Sequence, residues 1–273
     1  MSKFVLSAFG DEIDPDLNVQ MDTLEANGVR FIEMRAVDGK NITKHLIPEV
    51  KVIKKRLEER SFAVSSLGSP IGKVDISLPF AEHLDLFKYT LEIAVILDTK
   101  YMRMFSFQVP QDNPASYRNQ VMERLGEMVT VSKGSGITLL HENEKHIYGD
   151  NIERCLDILQ NVPEIRAVFD PANFMQCQVD SLKAFTSLEK YVDYMHIKDF
   201  SREIGMVVPA GKGDGQLPEI LRRLEKGGFE GFLSLEPHLK RLAGMDNLYL
   251  KTGANGQEMM TTAIAALKSI LAS

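Results

Sequence analysis

The stretch GITLLHENEKHIYGDNIERCLDILQNVPEIRAVFD, residues 136–170, holds one full turn of the pattern that decides the fold. It opens after a glycine with a short apolar run, GITLLHE (136–142), that reads as a strand. Asp150 with Glu153 three residues on resembles a capping box, opening a helical stretch through Leu159. A second apolar run, IRAVFD (165–170), reads as the next strand. Strand, helix and strand at this spacing make one βαβ unit of a parallel sheet.

The same rhythm continues in both directions. KFVLSAF (3–9), RFIEMR (30–35), FAVSSL (62–67) and YMRMFSF (101–107) precede the unit, and VDYMHI (192–197) and GFLSLE (231–236) follow it. Between them, Leu17, Met21 and Leu24 recur at helical spacing and Gly28 sits where a helix ends. Pro48 fits the first turn of a helix carrying Val50, Ile53 and Leu57. Eight strands, each followed by a helix, predict a (β/α)8 TIM barrel with residues 1–273 as a single domain. An open doubly wound sheet would carry a glycine-rich fingerprint after its first strand, and SAFGDEIDPD has none. The longest irregular stretch, PHLKRLAGMDNLYLKTGANG (237–256), is expected over the barrel mouth as a lid or subunit contact.

Composition narrows the function. The chain is 44% apolar and 26% charged with a net charge of −6, which argues against a nucleic-acid surface and its basic stripe. Cys155 and Cys177 have no metal-type spacing and read as isolated thiols. The opening apolar stretch is cut at Asp11 and Glu12, too short for a signal-peptide core. No run approaches the roughly 18 apolar residues of a membrane span. The expectation is a cytoplasmic protein with no membrane and no nucleic acid among its partners.

Four demanding side chains close apolar runs in the second half: Glu142, Asp170, His196 and Glu236. Alone, each has a plain explanation: a salt-bridged strand end, an Asp-Pro turn, a hydrogen-bonded core histidine. Together they fall at the carboxyl ends of strands five to eight, the face of a barrel where chemistry is done. Three carboxylates and an imidazole make a divalent-metal site, suited to Mn²⁺ first and then to Mg²⁺, Co²⁺ or Zn²⁺. Lys198, two after His196, is placed to hold a substrate oxygen or a ligand carboxylate, and Asn173 to bond a hydroxyl. Arg202 is a further substrate-binding candidate. AGKGDGQLPEIL (210–221) offers glycines at 211, 213 and 215 before a helix and reads as a flexible loop and helix start, ahead of an anion site. Glu33 and Arg35 read as buried ion-pairing residues of the barrel, and Lys73 in GSPIGK (68–73) as facing the site.

With FIEMR, GSPIGK, HENE, FDPANF, HIKDF, GKGDG and LEPH assembled, nearly the whole chain resembles the xylose isomerase-like TIM-barrel superfamily of sugar-phosphate isomerases and epimerases. That superfamily includes ketose 3-epimerases and inosose dehydratases. The resemblance implies that Glu142, Asp170, His196 and Glu236 hold one divalent ion, with Glu142 and Glu236 also serving as acid and base. It implies a metal-stabilised enediolate route to epimerisation or isomerisation of a sugar or sugar phosphate, in a homodimer or homotetramer. A dehydratase of an inosose or related polyol ketone is the alternative, and a catalytically idle sugar-binding relative the remote one. Two features depart from the family pattern. Asn173 stands where many relatives have histidine, and Arg35, Ser69 and Phe105 stand where the DNA-repair endonucleases of the superfamily need further histidines.

Overall fold

The structure, a computed structural model, describes residues 3–245 and 247–273. Eight parallel strands form a closed barrel: β1 (Lys3–Phe9), β2 (Phe31–Met34), β3 (Ala63–Leu67), β4 (Tyr101–Met104), β5 (Thr138–Glu142), β6 (Arg166–Phe169), β7 (Val192–Ile197) and β8 (Glu230–Leu235). Each strand pairs with its neighbours along the chain, and β8 returns to β1 with Val5 opposite Phe232 and Ala8 opposite Leu235. The outer ring is built from α1 (Leu17–Ala26), α2 (Ile47–Glu59), α3 (Phe80–Ile96), α4 (Arg118–Ser132), α5 (Ile152–Asn161), α6 (Pro171–Gln176), α7 (Ser181–Leu188), α8 (Leu217–Lys226), α9 (Lys240–Ala243) and α10 (Gly256–Leu271). No helix among the described residues is long and apolar enough to cross a membrane.

Local chemistry sets the helix ends. Asp16 accepts from the Asn18 amide at 2.7 Å to open α1, and Gly28, at φ +70°, lets the chain turn out of it. In α2, Pro48 sits in the first turn and the Glu49 carboxylate accepts from the Leu46 amide at 2.8 Å. The predicted capping box at α5 is displaced by one residue. Asn151 is the cap, accepting from the Arg154 amide at 2.9 Å, while Asp150 pairs with the Arg154 guanidinium instead.

The period of two along each strand is what builds the mouth. Leu140, Val168, Tyr194 and Tyr101 pack with Phe232 as a small cluster inside the barrel. The larger core lies between the strands and the helices and takes the alternate residues, such as Leu139, Ala167 and Met195. Two positions after Leu140, Val168 and Tyr194, the same inner face therefore presents Glu142, Asp170 and His196. Glu236 stands in the same relation to Ser234 and Phe232. Two short hairpins decorate this end, Ala36–Val37 with Lys40–Asn41 after β2 and Asp199–Ser201 with Met206–Val208 after β7. The segment 237–256 buries Leu239, Leu242, Ala243 and Leu250. With residues 11–15 it walls a cavity of about 800 Å³ beside the mouth.

Candidate metal centre

Glu142, Asp170, His196 and Glu236 each place a donor atom within 4.8 Å of the others, and all four are buried. His196 Nδ1 lies 3.2 Å from Glu142 Oε1, 3.9 Å from Asp170 Oδ2 and 3.9 Å from Glu236 Oε2. Asp170 also caps α6, its Oδ1 accepting from the Asn173 amide at 2.9 Å. That turns Oδ2 inward, where it is buried without a hydrogen bond although Lys198 Nζ lies 2.7 Å away. A buried acceptor left incompletely satisfied is costly. With two further carboxylates and one imidazole around it, this inward oxygen completes a donor set that fits a divalent cation.

The outer oxygens of the two glutamates are also tied down. Arg103 Nη1 donates to Glu142 Oε2 at 3.0 Å and comes within 3.9 Å of Glu236 Oε1. Arg35 Nη1 donates to Glu236 Oε1 at 2.8 Å, and Arg35 Nε to Asp11 at 2.7 Å. Lys198 Nζ donates to Glu236 Oε2 at 2.9 Å, and Asn173 Nδ2 to Glu142 Oε1 at 3.0 Å. The Arg103 guanidinium is anchored by the Gly68 and Ser69 carbonyls and lies beside the rings of Phe105 and Phe9. His238, past β8, bridges Glu12 and Glu236, with Nδ1 2.8 Å from Glu12 Oε1 and Nε2 3.5 Å from Glu236 Oε1.

These contacts split the acidities. Burial would raise Glu142, but His196 and Arg103 outweigh it and hold the carboxyl at about 2. Burial is likewise overcome at Glu236, chiefly by Lys198, and its carboxyl is held well below the usual range. At Asp170 burial wins over Lys198, with the charges of Glu142 and Glu236 adding to it, and the carboxyl is pushed up to about 6. His196 is raised well above its ordinary value because Glu33 and Glu142 outweigh its desolvation.

All four predicted ligands thus meet at one place. Asn173 and Lys198 join them, each holding a glutamate oxygen. Arg202 does not: it is exposed on the hairpin after β7, with Nη2 3.8 Å from Met175 Sδ. Lys73 is half exposed and pairs with Glu144 at 2.8 Å. The glycine loop is filled from within. Asp199 accepts from the amides of Gly211, Gly213 and Gly215 at 2.9, 3.1 and 2.9 Å, so no free ring of amides faces a phosphate there. A Cβ on Gly213 or Gly215 would lie 2.5 or 2.6 Å from Asp199 Oδ1, which is why the loop needs glycine at both. Arg103 escaped notice in the sequence, though a lone charge two after Tyr101 on an apolar strand was a usable signal. Glu33 is buried as expected, but its partner is His196, while Arg35 turns to Asp11 and Glu236.

A family model described as Xylose isomerase-like TIM barrel matches residues 21–269. No curated protein matches the chain. Among solved structures it is similar to the IOLI protein with a bound zinc atom, at 17% identity and a TM-score of 0.78 over 98% of each chain. It is also similar to the probable 3-DHS dehydratase AsbF from Bacillus anthracis, at 15% identity and TM-score 0.76 over 97% of this chain and 98% of that one. A D-allulose 3-epimerase from Methylomonas sp., solved with D-allulose, aligns at 13% identity and TM-score 0.73 over 98% of each chain. At these identities the likeness to solved structures speaks for the fold alone.

Proposed function

Because the chain belongs to the xylose isomerase-like TIM-barrel family, we propose that it is a metal-dependent isomerase or epimerase of ketose-type sugars. The observation that carries this is the disposition of Glu142 and Glu236. Each turns one oxygen into the donor cluster, and their outer oxygens converge on Arg103 Nη1, at 3.0 and 3.9 Å. Two carboxylates from β5 and the end of β8 thereby address one point, as a paired acid and base must.

Glu142, Asp170, His196 and Glu236 would hold one divalent ion, Mn²⁺ by preference for such donors and Mg²⁺, Co²⁺ or Zn²⁺ after it. Bound there, the ion supplies Lewis acidity that makes a C–H next to a carbonyl easier to break. Glu142 would take that proton and later release it to water, and Glu236 would return one drawn from water at the mouth, so the proton count closes over the cycle. Return to the opposite face inverts the carbon, and return to the adjacent carbon, with a hydroxyl proton passing to the former carbonyl oxygen, interconverts ketose and aldose. Asn173 and Lys198 hold the two glutamates in place, and Arg202 would reach a substrate only from the rim. Because the loop at 211–215 is occupied by Asp199, a phosphate on the sugar would have to be met elsewhere.

A dehydratase is the second reading, and Lys198 favours it. A buried ammonium 2.9 Å from Glu236 is a fixed cation beside the acid–base pair, able to hold the oxygen of a departing hydroxyl as Glu236 protonates it. The two are separated by incubating the metal-loaded protein with ketoses and inososes in D₂O and following products by NMR. Isomerisation incorporates deuterium at carbon and keeps every oxygen of the sugar, whereas dehydration loses water. Glu142→Gln and Glu236→Gln should each lower turnover at least about 10²-fold. Near-wild-type rates in either variant overturn the acid–base assignment. Absence of any carbon-bound exchange would leave a sugar-binding protein.

A further inference from the structure

Glu33 is a carboxylate on the inner face of β2, 1% exposed, that lies below the donor cluster and outside it. Both of its oxygens are 3.2 Å from His196 Nε2. Among the described residues no lysine or arginine pairs with it. Burying a carboxylate costs several kcal/mol unless it is paired and hydrogen bonded. Besides the Tyr194 hydroxyl, the partner available to Glu33 is an imidazole whose other nitrogen faces Glu142, Asp170 and Glu236.

The ring itself is held from two sides. Phe9 meets it edge-on at 5.2 Å between centroids and Tyr194 at 6.0 Å. Below, the Tyr194 hydroxyl bonds Ser65 Oγ at 2.8 Å and Ser65 bonds Ser7 at 2.6 Å, a polar chain inside a barrel that is normally filled with branched apolar residues. The aromatic edges fix the plane of the imidazole. They leave open which nitrogen carries the hydrogen, and only a hydrogen-bond partner decides that.

We propose that Glu33 is a positioning residue for the metal centre: by accepting the Nε2 hydrogen of His196 it leaves the Nδ1 lone pair facing the three carboxylates, and so sets how tightly a divalent ion is held. Imidazole ligands are commonly oriented by a carboxylate on their second nitrogen, and loss of that carboxylate costs about 10–100-fold in metal affinity. The inference rests on the metal-centre reading above.

The test is calorimetric titration of the metal-free protein with Zn²⁺ and with Mn²⁺, for wild type, Glu33→Leu and Ser7→Ala. Glu33→Leu removes the acceptor and should bind about 10–100-fold more weakly, in a chain whose far-ultraviolet dichroism shows it folded. Ser7→Ala alters the polar chain inside the barrel at its far end, at Ser65, and should keep wild-type affinity. Equal affinity in Glu33→Leu, or an equal loss in Ser7→Ala, overturns the role of Glu33 and leaves the metal centre standing. Failure of wild type to bind either ion overturns the metal-centre reading itself. If Glu33→Leu does not fold, ¹⁵N NMR of the Zn²⁺-loaded wild type decides: the His196 hydrogen should be on Nε2, and finding it on Nδ1 refutes the proposal.

Discussion

Lys198 bonds to Glu236 and lies against Asp170 from a position only 4% exposed. Removing one partner of a buried ionic group leaves uncompensated charge, at a cost of about 3–5 kcal/mol. Lys198→Met should therefore destabilise the metal-free protein by about that amount, and excess Mn²⁺ should restore much of it by bringing a cation to the same carboxylates. Thermal unfolding with and without the ion checks this, and an unchanged midpoint without metal would refute it. At this scale the clustering of Glu142, Asp170, His196 and Glu236 was legible in the sequence because a charge ending an apolar run on the inner register has few other uses. Arg103 was harder to read. A single charge inside a strand looks the same whether it pairs locally or reaches across the barrel to Glu142. Arg202 misled because the hairpin 199–208, with strands of three residues each, leaves almost no periodic signal.

Among the elements, the loop joining β3 to α3 shows how a turn carries the site. Gly72 adopts φ +77°, and a Cβ there would stand 2.0 Å from the Phe105 carbonyl oxygen. Gly72→Ala should cost more than about 2 kcal/mol, read as a shift of the denaturation midpoint without change of slope. The Gly72 amide donates to His83 Nε2 at 2.9 Å, so the α3 histidine serves the loop as a neutral acceptor. Burial, and then the charge of Arg124, hold His83 below its ordinary value of 6.5. The unfolded chain then takes up a proton that the folded one resists. This stabilisation is complete above pH 6.5 and is lost as pH falls below it. Stability measured from pH 8 to 5 should decline on that side, and His83→Gln should flatten the decline. The strands and helices themselves were readable because apolar periodicity, Gly28 and Pro48 all agree with the global fold. The Asp199 cradle was not readable, since it joins residues 12 to 16 positions apart through three backbone amides.

For the whole molecule, the ring of strands divides its labour unevenly. Every candidate ligand comes from β5 to β8 or their ends, while the guanidinium groups of Arg103 and Arg35, which cap the outer oxygens of Glu142 and Glu236, come from β4 and the end of β2. Neither half of the chain can neutralise this charge alone. A half-barrel would have to keep its glutamates in water, and so could not dehydrate its own upper layer. Burial of the acids and closure of the ring are thereby one event, which makes assembly of the halves an electrostatic commitment as well as an apolar one. The chain has no tryptophan, and two of its seven tyrosines, Tyr101 and Tyr194, sit inside the barrel, so part of the tyrosine emission reports closure. Emission and far-ultraviolet dichroism should lose their signals together in urea for the wild type and separate in Arg103→Met, where the two halves are freed to melt on their own terms.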